Sequence, residues 1–593
     1  MPFRASDTLT SVVDRLLIAA FEACGLDSRG VRAVPAQRPE LADLQCNAIM
    51  PLAGALKRPP RELAEKVIAR LIELTNTAGS ALAVFSSVEM AGPGFINMRL
   101  SAAFLSALAT HQLASPRHGI VPQAPERIVI DFGGPNVAKP LHVGHLRSLV
   151  LGESLRRILI AQGHEVVGDV HLGDWGLQMG MLIAELPLLW PELAQDGPWR
   201  DQPPFDMAQL QAIYPRVAAD CKADAERMAV ARAATARLQA GDPASMHLWE
   251  AIRAVSLAAQ TRDFAALDAH FDELNGESHV QHLIPGMVAD LVSRGIAQTS
   301  EGALVIEVAE EKDDSPMPPL LIEKSDGAAL YATTDLATIV DRRDRLHPRR
   351  IVYVVDQRQS LHFRQVFRGA AKAGISTGIE LVHVGFGTVN GADGKPYKTR
   401  DGGVARLEDL LADAIERARA RRAEDARPEA ADQDLDDLAR TVGIAAVKFA
   451  DLSTYRTSGY IFDADRMVSF EGRTGPYVQY ACVRISSILD RAASQGLAAG
   501  AMAVVEPAER ALVLLCARFP DAVASAAYRY APNDIADFAF DLAQAFSRFY
   551  TECPVLAAAD AEVAASRLSL ATLTRDVLVN ALNLLGIRVP DRT

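Results

Sequence analysis

Two histidines three residues apart, His142 and His145, close the stretch Asp131-Phe-Gly-Gly-Pro-Asn-Val-Ala-Lys-Pro-Leu-His-Val-Gly-His145. The apolar run just before it, 128–132, has the pattern of a buried strand. Leu149, Val150, Leu155, Ile158 and Leu159 then recur at helical spacing, and Gly163 is a stop signal. The pair therefore falls where a strand hands over to a helix N-terminus, on one face of the first turn. Free N–H groups and the positive end of the helix dipole suit phosphate there. Lys139 and the two imidazoles add donors at the same point, and Gly144 lets a flat group approach the backbone.

Length and composition bound what surrounds this point. The chain has 593 residues, enough for about three to four domains. Its 49% hydrophobic content suffices for large cores. No apolar run approaches a membrane span, and the opening Met-Pro-Phe-Arg-Ala-Ser-Asp lacks a signal-peptide core, so a cytoplasmic chain without a membrane partner is expected. Cys24, Cys46, Cys221, Cys482, Cys516 and Cys553 are scattered without a C-x-x-C pair, against a disulfide framework or a zinc site. The net charge of −13 argues against nucleic acid in bulk and leaves room for RNA only on local basic patches.

From residue 127 strand and helix patterns alternate: 128–132, 143–162, 165–170 and 176–186. Such alternation predicts a parallel sheet with ligands at the carboxyl ends of its strands. His171-Leu-Gly-Asp-Trp-Gly-Leu-Gln178 falls at one such end. There Gly173, Asp174 and Gln178 either border a pocket or form a turn with Asp174 as N-cap. Residues 190–300 interrupt the alternation; 207–269 is nearly all helical and reads as an insertion. Strands resume at 303–308, 320–323, 350–355 and 380–388, with 325–337 as turn, extended piece and helix start, and 356–363 as a loop. The loop 391–403 is Gly-rich and basic; Lys395, Lys398 and Arg400 would neutralise phosphates, and its glycines let it move.

Ahead of this, helical spacing at 8–24 and 61–75 with strands at 81–85 and 94–100 predicts a small α+β module, and 111–126 reads as a linker. Beyond it lie an amphipathic helix at 404–422, a disorder-like stretch at 423–437 and a helical bundle from 441 onward. The expected fold is thus multidomain. A small α+β N-terminal domain spans 1–112. A Rossmann-like α/β parallel-sheet domain spans 120–405, with a helical insertion at about 190–300. An all-α C-terminal domain spans 406–593.

The P-N-V-A-K and H-V-G-H elements resemble the first signature of class I aminoacyl-tRNA synthetases, in the form found in arginyl-tRNA synthetases. Ser325-Asp-Gly-Ala-Ala-Leu-Tyr-Ala-Thr-Thr-Asp-Leu-Ala337 is similar to a long pattern of the same family. So are Gly173-Asp-Trp-Gly176, Gly276-Glu-Ser278, and Cys46–Leu52 with Gly92–Asn97 in the first domain. In the last domain the resemblance rests on Gly459–Met467, Glu471–Tyr480, Arg518–Asp521, Phe549-Tyr550 and Leu584–Asp591; the final Thr593 departs from the methionine often found there. The loop 391–403 takes the place of the second signature, K-M-S-K-S, without spelling it.

The resemblance implies attachment of L-arginine to tRNA(Arg) through an arginyl-adenylate, with release of AMP and pyrophosphate. ATP would arrive with Mg2+ as substrate; no tightly bound cofactor and no protein metal site are implied, and a monomer is expected. Catalytic roles are implied for Lys139, His142, His145 and Lys398, and ATP binding for His142, Gly144, His145, Lys395 and Arg400. Lys139 would supply the charge that the second signature lacks. A guanidinium is planar, permanently charged and carries five donors, so carboxylates are its natural partners. By resemblance, Asp131 meets the amine or the guanidinium side, Asn136 the α-amino or carboxylate end, and Tyr331, Asp335 and Gln359 the side chain. The N-terminal domain would contact the outer corner of the tRNA and the C-terminal domain its anticodon, where Tyr460, Phe462, Tyr477, Tyr480 and Tyr550 are aromatics of the kind that stack on splayed bases. Two other readings share parts of this pattern: an enzyme that attaches AMP to a small molecule without tRNA, and a non-catalytic RNA-binding protein.

Overall fold

The computed structural model describes residues 4, 7–77, 83–195, 197–324, 330–398, 405–425, 432–558 and 560–590. Arg400, and the first five residues of the 325–337 pattern, lie outside them. The chain forms two compact units, one of residues 124–468 and one of residues 1–123 with 469–593.

The first unit is built on a five-stranded parallel sheet. Its strands are β1 (Arg127–Phe132), β2 (Glu165–Leu172), β3 (Glu273–Gly276), β4 (Arg350–Val354) and β5 (Glu380–His383), in the order β5-β4-β1-β2-β3. Val129, Ile130, Ile351 and Val352 are fully buried, as expected of strands covered on both faces. The strand order reverses between β1 and β4, so a crevice opens at their carboxyl ends. Ser148, on the helix Val143–Ala161, pins that point: its Oγ accepts the Gly133 N–H at 2.8 Å and donates to the Val354 carbonyl at 2.7 Å.

Three expectations change here. The strands expected at 303–308 and 320–323 do not join the parallel sheet; Ala303–Ile306 pairs antiparallel with Gln298–Ser300 and Leu320–Glu323 in a separate sheet. The helical interruption ends at residue 272, because Glu-Leu-Asn-Gly, too short and polar to show a strand pattern, hydrogen-bonds to β2 as β3. The last strand stops at His383; Val389–Asn390 instead pairs with Tyr460–Ile461, so the stretch from 441 onward is not helical throughout.

The boundary expected at 405/406 also moves. Helices Leu407–Asp425 and Asp432–Leu452 pack within the sheet-containing unit. Arg147, fully buried on the signature helix, pairs with Asp451 at 3.1 Å and donates to the Ser458 carbonyl at 2.7 Å. Phe462, expected on an RNA face, is buried in this unit, and Tyr460, likewise expected there, is half-buried.

In the second unit the strands Ala33–Pro35, Leu44–Cys46, Phe95–Leu100 and Phe85–Ala91 form an antiparallel sheet. The strand expected at 81–85 thus runs later, over 85–91, and the helix Ala102–Ala114 takes the start of the expected linker. This module and the C-terminal helices are one body: Gln112 Nε2 donates to the Cys516 carbonyl at 2.7 Å, and Arg510 pairs with Asp43 and donates to the Leu100 carbonyl at 2.9 Å. One stretch here, 507–529, is apolar and long enough to cross a membrane, contrary to the sequence reading. It consists of two helices, Pro507–Ala517 and Phe519–Arg529, and half of it is buried in the bundle.

Candidate active site

His142 sits in extended backbone (φ −124°, ψ 170°) and caps the helix Val143–Ala161. Its Nδ1 accepts the Gly144 N–H at 3.0 Å, and its own N–H donates to His145 Nδ1 at 3.0 Å. With both Nδ1 atoms accepting, each neutral ring carries its proton on Nε2. Burial, with Lys139 nearby, holds the His142 pKa below the usual histidine value. Burial and His142 push His145 down to about 3. The pair therefore offers two uncharged Nε2–H donors, their ring centroids 3.9 Å apart.

The backbone donors of this helix end are not free, as the sequence reading had them. Val143 N–H donates to the Ala405 carbonyl (3.0 Å), Gly144 N–H to His142, and His145 N–H to the His142 carbonyl (2.8 Å). The first demand on Gly144 is also internal: a Cβ there would stand 2.7 Å from His142 Cε1. Donation to a phosphate falls to the side chains.

The basic loop is tied to this point at both ends. Val389–Asn390 pairs with Tyr460–Ile461 on one side, and Leu407 N–H donates to the Leu141 carbonyl (3.0 Å) on the other. Lys395 and Lys398 are exposed on the loop. Lys139 is turned aside: its Nζ lies 4.7 Å over the ring of Tyr214, on the inserted helix Met207–Ala223.

The segment 136–139 is held by the insertion, in which sequence spacing had shown no chemistry. On the helix Pro243–Ala266, Ser256 Oγ accepts the Ala138 N–H at 2.9 Å and Gln260 Nε2 donates to the Asn136 carbonyl at 3.0 Å. Asn136 side chain is exposed, and Val137 N–H donates to the Gly173 carbonyl at 3.0 Å. Gly173 has no room for a side chain; a Cβ would stand 2.2 Å from Asn136 Oδ1. Gln178 joins them, donating to the Gly173 carbonyl at 2.7 Å. Asp174 does not cap the helix that follows it; its Oδ1 accepts the Ser278 N–H at 2.9 Å, in the first turn of the helix Glu277–Val280. Asp174 is fully buried and also accepts from Ser278 Oγ (2.8 Å) and Arg253 Nε (3.2 Å).

Tyr331 and Asp335 lie one turn apart on the helix Tyr331–Leu346 and so share a face. Tyr331 is 77% exposed, open to stacking. Asp335 is in the second turn rather than at the cap, and His362 Nε2 lies 2.6 Å from its Oδ2. Gln359 is exposed just after β4. Glu277, following β3, faces the same group of residues. Burial raises its pKa, with His171 pulling it down and Asp174 and Asp335 adding to the rise. Glu277, His171 and His362 were not singled out from the sequence as site residues. Only the G-E-S element hinted at the first.

Asp131 is placed differently from the expectation. It is buried, and Arg342 Nη2 lies 2.7 Å from its Oδ2 while Arg342 Nε donates to Asp169 Oδ2 at 2.8 Å. Its charge is matched inside the sheet by the chain's own guanidinium.

Comparison with known proteins follows the same lines. The family model "tRNA synthetases class I (R), catalytic domain" matches residues 109–464, "Arginyl tRNA synthetase N terminal domain" residues 8–100, and "DALR anticodon binding domain" residues 478–592. The arginine–tRNA ligase of Maricaulis maris is 48% identical over 98% of this chain and 100% of its own length. That of Hyphomonas neptunium is 47% identical over 97% of this chain and 98% of its own. The same fold occurs in the crystal structure of arginyl-tRNA synthetase from Plasmodium falciparum (TM-score 0.82, 23% identity, 99% of this chain and 100% of that one). It occurs also in the Thermus thermophilus arginyl-tRNA synthetase (TM-score 0.78, 24% identity, 99% and 100%). With its signature helix at the switch point of a parallel sheet and relatives this similar over their whole length, the chain belongs to the arginyl-tRNA synthetase family of class I aminoacyl-tRNA synthetases.

Proposed function

We propose that this chain attaches L-arginine to tRNA(Arg) at the expense of ATP. What supports the reading is that two neutral Nε2–H donors follow the carboxyl end of β1, while the carboxylates of Glu277, after β3, and Asp335 lie close enough to influence one another. The donors suit a phosphate in reaction, the carboxylates a guanidinium. An arginine carboxylate oxygen attacks the α-phosphorus of ATP, the bond to the bridging oxygen breaks, and pyrophosphate leaves. The 2′-hydroxyl of the terminal tRNA ribose then attacks the adenylate carbonyl and AMP departs. No covalent enzyme intermediate is needed, so positioning and charge stabilisation supply the rate.

His142 and His145 donate to the phosphoryl oxygens as charge builds. Lys139 leaves the Tyr214 ring to meet the polyphosphate, with Lys395, Lys398 and Arg400 brought over it by the 391–403 loop, and the exposed Gly144 backbone lies against the nucleotide. Asn136 holds the α-amino or carboxylate end of arginine. Tyr331 stacks on its side chain, Asp335 and Glu277 accept from the guanidinium, and Gln359 adds a polar contact. Magnesium travels with the ATP phosphates. The N-terminal module and the C-terminal helices contact the tRNA, and we assign a cytoplasmic monomer.

Aminoacylation of total tRNA with each of the twenty amino acids and ATP tests the reading. Charging with arginine alone is expected. Charging with another amino acid overturns the guanidinium assignment, and RNA binding without any charging overturns the enzyme.

A further inference from the structure

Asp335 carries a resident imidazole partner. His362 stands on the helix Ser360–Ala373, which begins just past the carboxyl end of β4, and its Nε2 lies 2.6 Å from Asp335 Oδ2. Both side chains remain partly open, at 32% and 21% exposure. The imidazole is set edge-on to Phe363, centroids 5.5 Å apart at 80°. Phe363 in turn stacks on His383, whose Nε2 is 3.2 Å from the Val355 carbonyl.

Among the described residues the charged neighbours are few. Asp335 faces His362 from the helix Tyr331–Leu346, and Glu277 lies beyond it, after β3. Just upstream of His362, Asp356 is closed on Arg358 at 2.6 Å. The hydrogen bond to Asp335 raises the His362 pKa against the opposing effect of burial. Of the two oxygens of Asp335, Oδ2 is engaged by His362.

Resting on the reading of arginine as substrate, we propose that His362 is a positioning and specificity-determining residue: it holds one oxygen of Asp335, leaves the other to the substrate guanidinium, and releases its proton as that guanidinium binds. The reasoning is one of charge. A carboxylate with a protonated imidazole is already neutralised, and a permanent second cation on the same carboxylate repels the first. The guanidinium cannot give up its proton and the imidazole can. Neutral His362 still donates from Nε2 and still orients Asp335, so the carboxylate keeps its full charge for the ligand. By linkage, whatever lowers the imidazole pKa when arginine binds must weaken arginine when the imidazole is protonated.

The test is calorimetric titration of the full-length chain with arginine between pH 6 and 8, in buffers of different ionisation enthalpy, with and without tRNA. The wild-type chain should release a fraction of a proton, and its arginine affinity should fall as pH drops through the His362 pKa, by up to about tenfold per unit for a single proton. His362→Gln keeps an N–H donor but cannot titrate; it should bind arginine without proton release and with a flat pH profile, its ATP KM unchanged. His362→Ala, which loses the donor as well, should raise the arginine KM several-fold with kcat less affected. In the wild-type chain alone, the His362 ring resonance should report a pKa that falls when arginine is added. Arginine binding without proton release, or the same release from His362→Gln, overturns the proposal while leaving the substrate reading intact. Failure of the wild-type chain to bind arginine at any pH overturns the substrate reading, and this proposal with it.

Discussion

Arg342 Nη2 lies 2.7 Å from Asp131 Oδ2, and its Nε 2.8 Å from Asp169 Oδ2, with the guanidinium wholly excluded from solvent. Burial opposes the charge on Arg342, but Asp169 and Asp131 outweigh it and raise its pKa well above the ordinary arginine value. Two carboxylates, one near the end of β1 and one in the middle of β2, are thus committed to one internal cation. Replacing it strands two like charges in the sheet, a class of change that costs about 3–5 kcal/mol. Arg342→Met should lower the urea midpoint of the sheet-containing unit accordingly at pH 7.5. The deficit should shrink toward pH 5, where a carboxylate pushed up by burial and a like-charged neighbour takes up a proton. A deficit independent of pH would mean that lost packing, not charge, dominates.

His142 and His145 each spend Nδ1 on a backbone N–H and are left with Nε2–H. Removing a preorganised donor to a developing phosphoryl charge typically costs a factor of about 10²–10³ in rate. His142→Ala and His145→Ala should each lower arginine-dependent ATP–pyrophosphate exchange by about that factor, with tRNA affinity unchanged. Exchange at the wild-type rate in either variant would remove that histidine from the mechanism.

The same geometry has a cost in acid. His145 is held neutral down to about pH 3 in the folded chain, by burial first and by His142 second, whereas an unfolded histidine protonates near pH 6.5. Between those values the unfolded state binds the extra proton, so this residue makes stability fall as pH falls, by no more than about 1.4 kcal/mol per unit. Above pH 6.5 it has no effect. His145→Asn cannot titrate, and its stability should decline less steeply from pH 6.5 to 5 than that of the wild-type chain. Parallel curves would show that His145 protonates in the folded state.

The parallel sheet and its signature helix were legible because their information is local: an apolar run, a turn rich in glycine and proline, then a periodic helix. β3 was not, because four residues, only Leu274 of them strongly apolar, gain their strand geometry only from β2 beside them. The fate of Asp131 was equally hidden. A carboxylate at a strand end looks available until the fold brings up Arg342, 211 positions away. The break between compact units escaped for the same reason, since Arg147 and Asp451 meet across 304 positions. What the sequence could not carry, in each case, was which buried charge finds which partner.

Ser256 shows how the inserted helices bear on the chemistry. Ala138 has φ +63°, in the left-handed region, where a residue with a side chain is disfavoured by roughly 1–2 kcal/mol. The fully buried Ser256 hydroxyl holds it there by accepting its N–H at 2.9 Å while donating to the Ile252 carbonyl at 2.7 Å. Ser256→Ala leaves a buried N–H unpaired, worth about 1–3 kcal/mol, and the strained turn no longer has a reason to stay. Asn136 and Lys139 flank that turn, so the arginine KM should rise and kcat fall together, with only a small change in melting temperature. Adding Ala138→Gly removes the side chain that disfavours the turn, and the double variant should regain part of both losses. If Ser256→Ala leaves both constants unchanged, the turn is held by Gln260 and Gly173 alone. If the glycine brings no recovery, the left-handed residue is not what Ser256 secures.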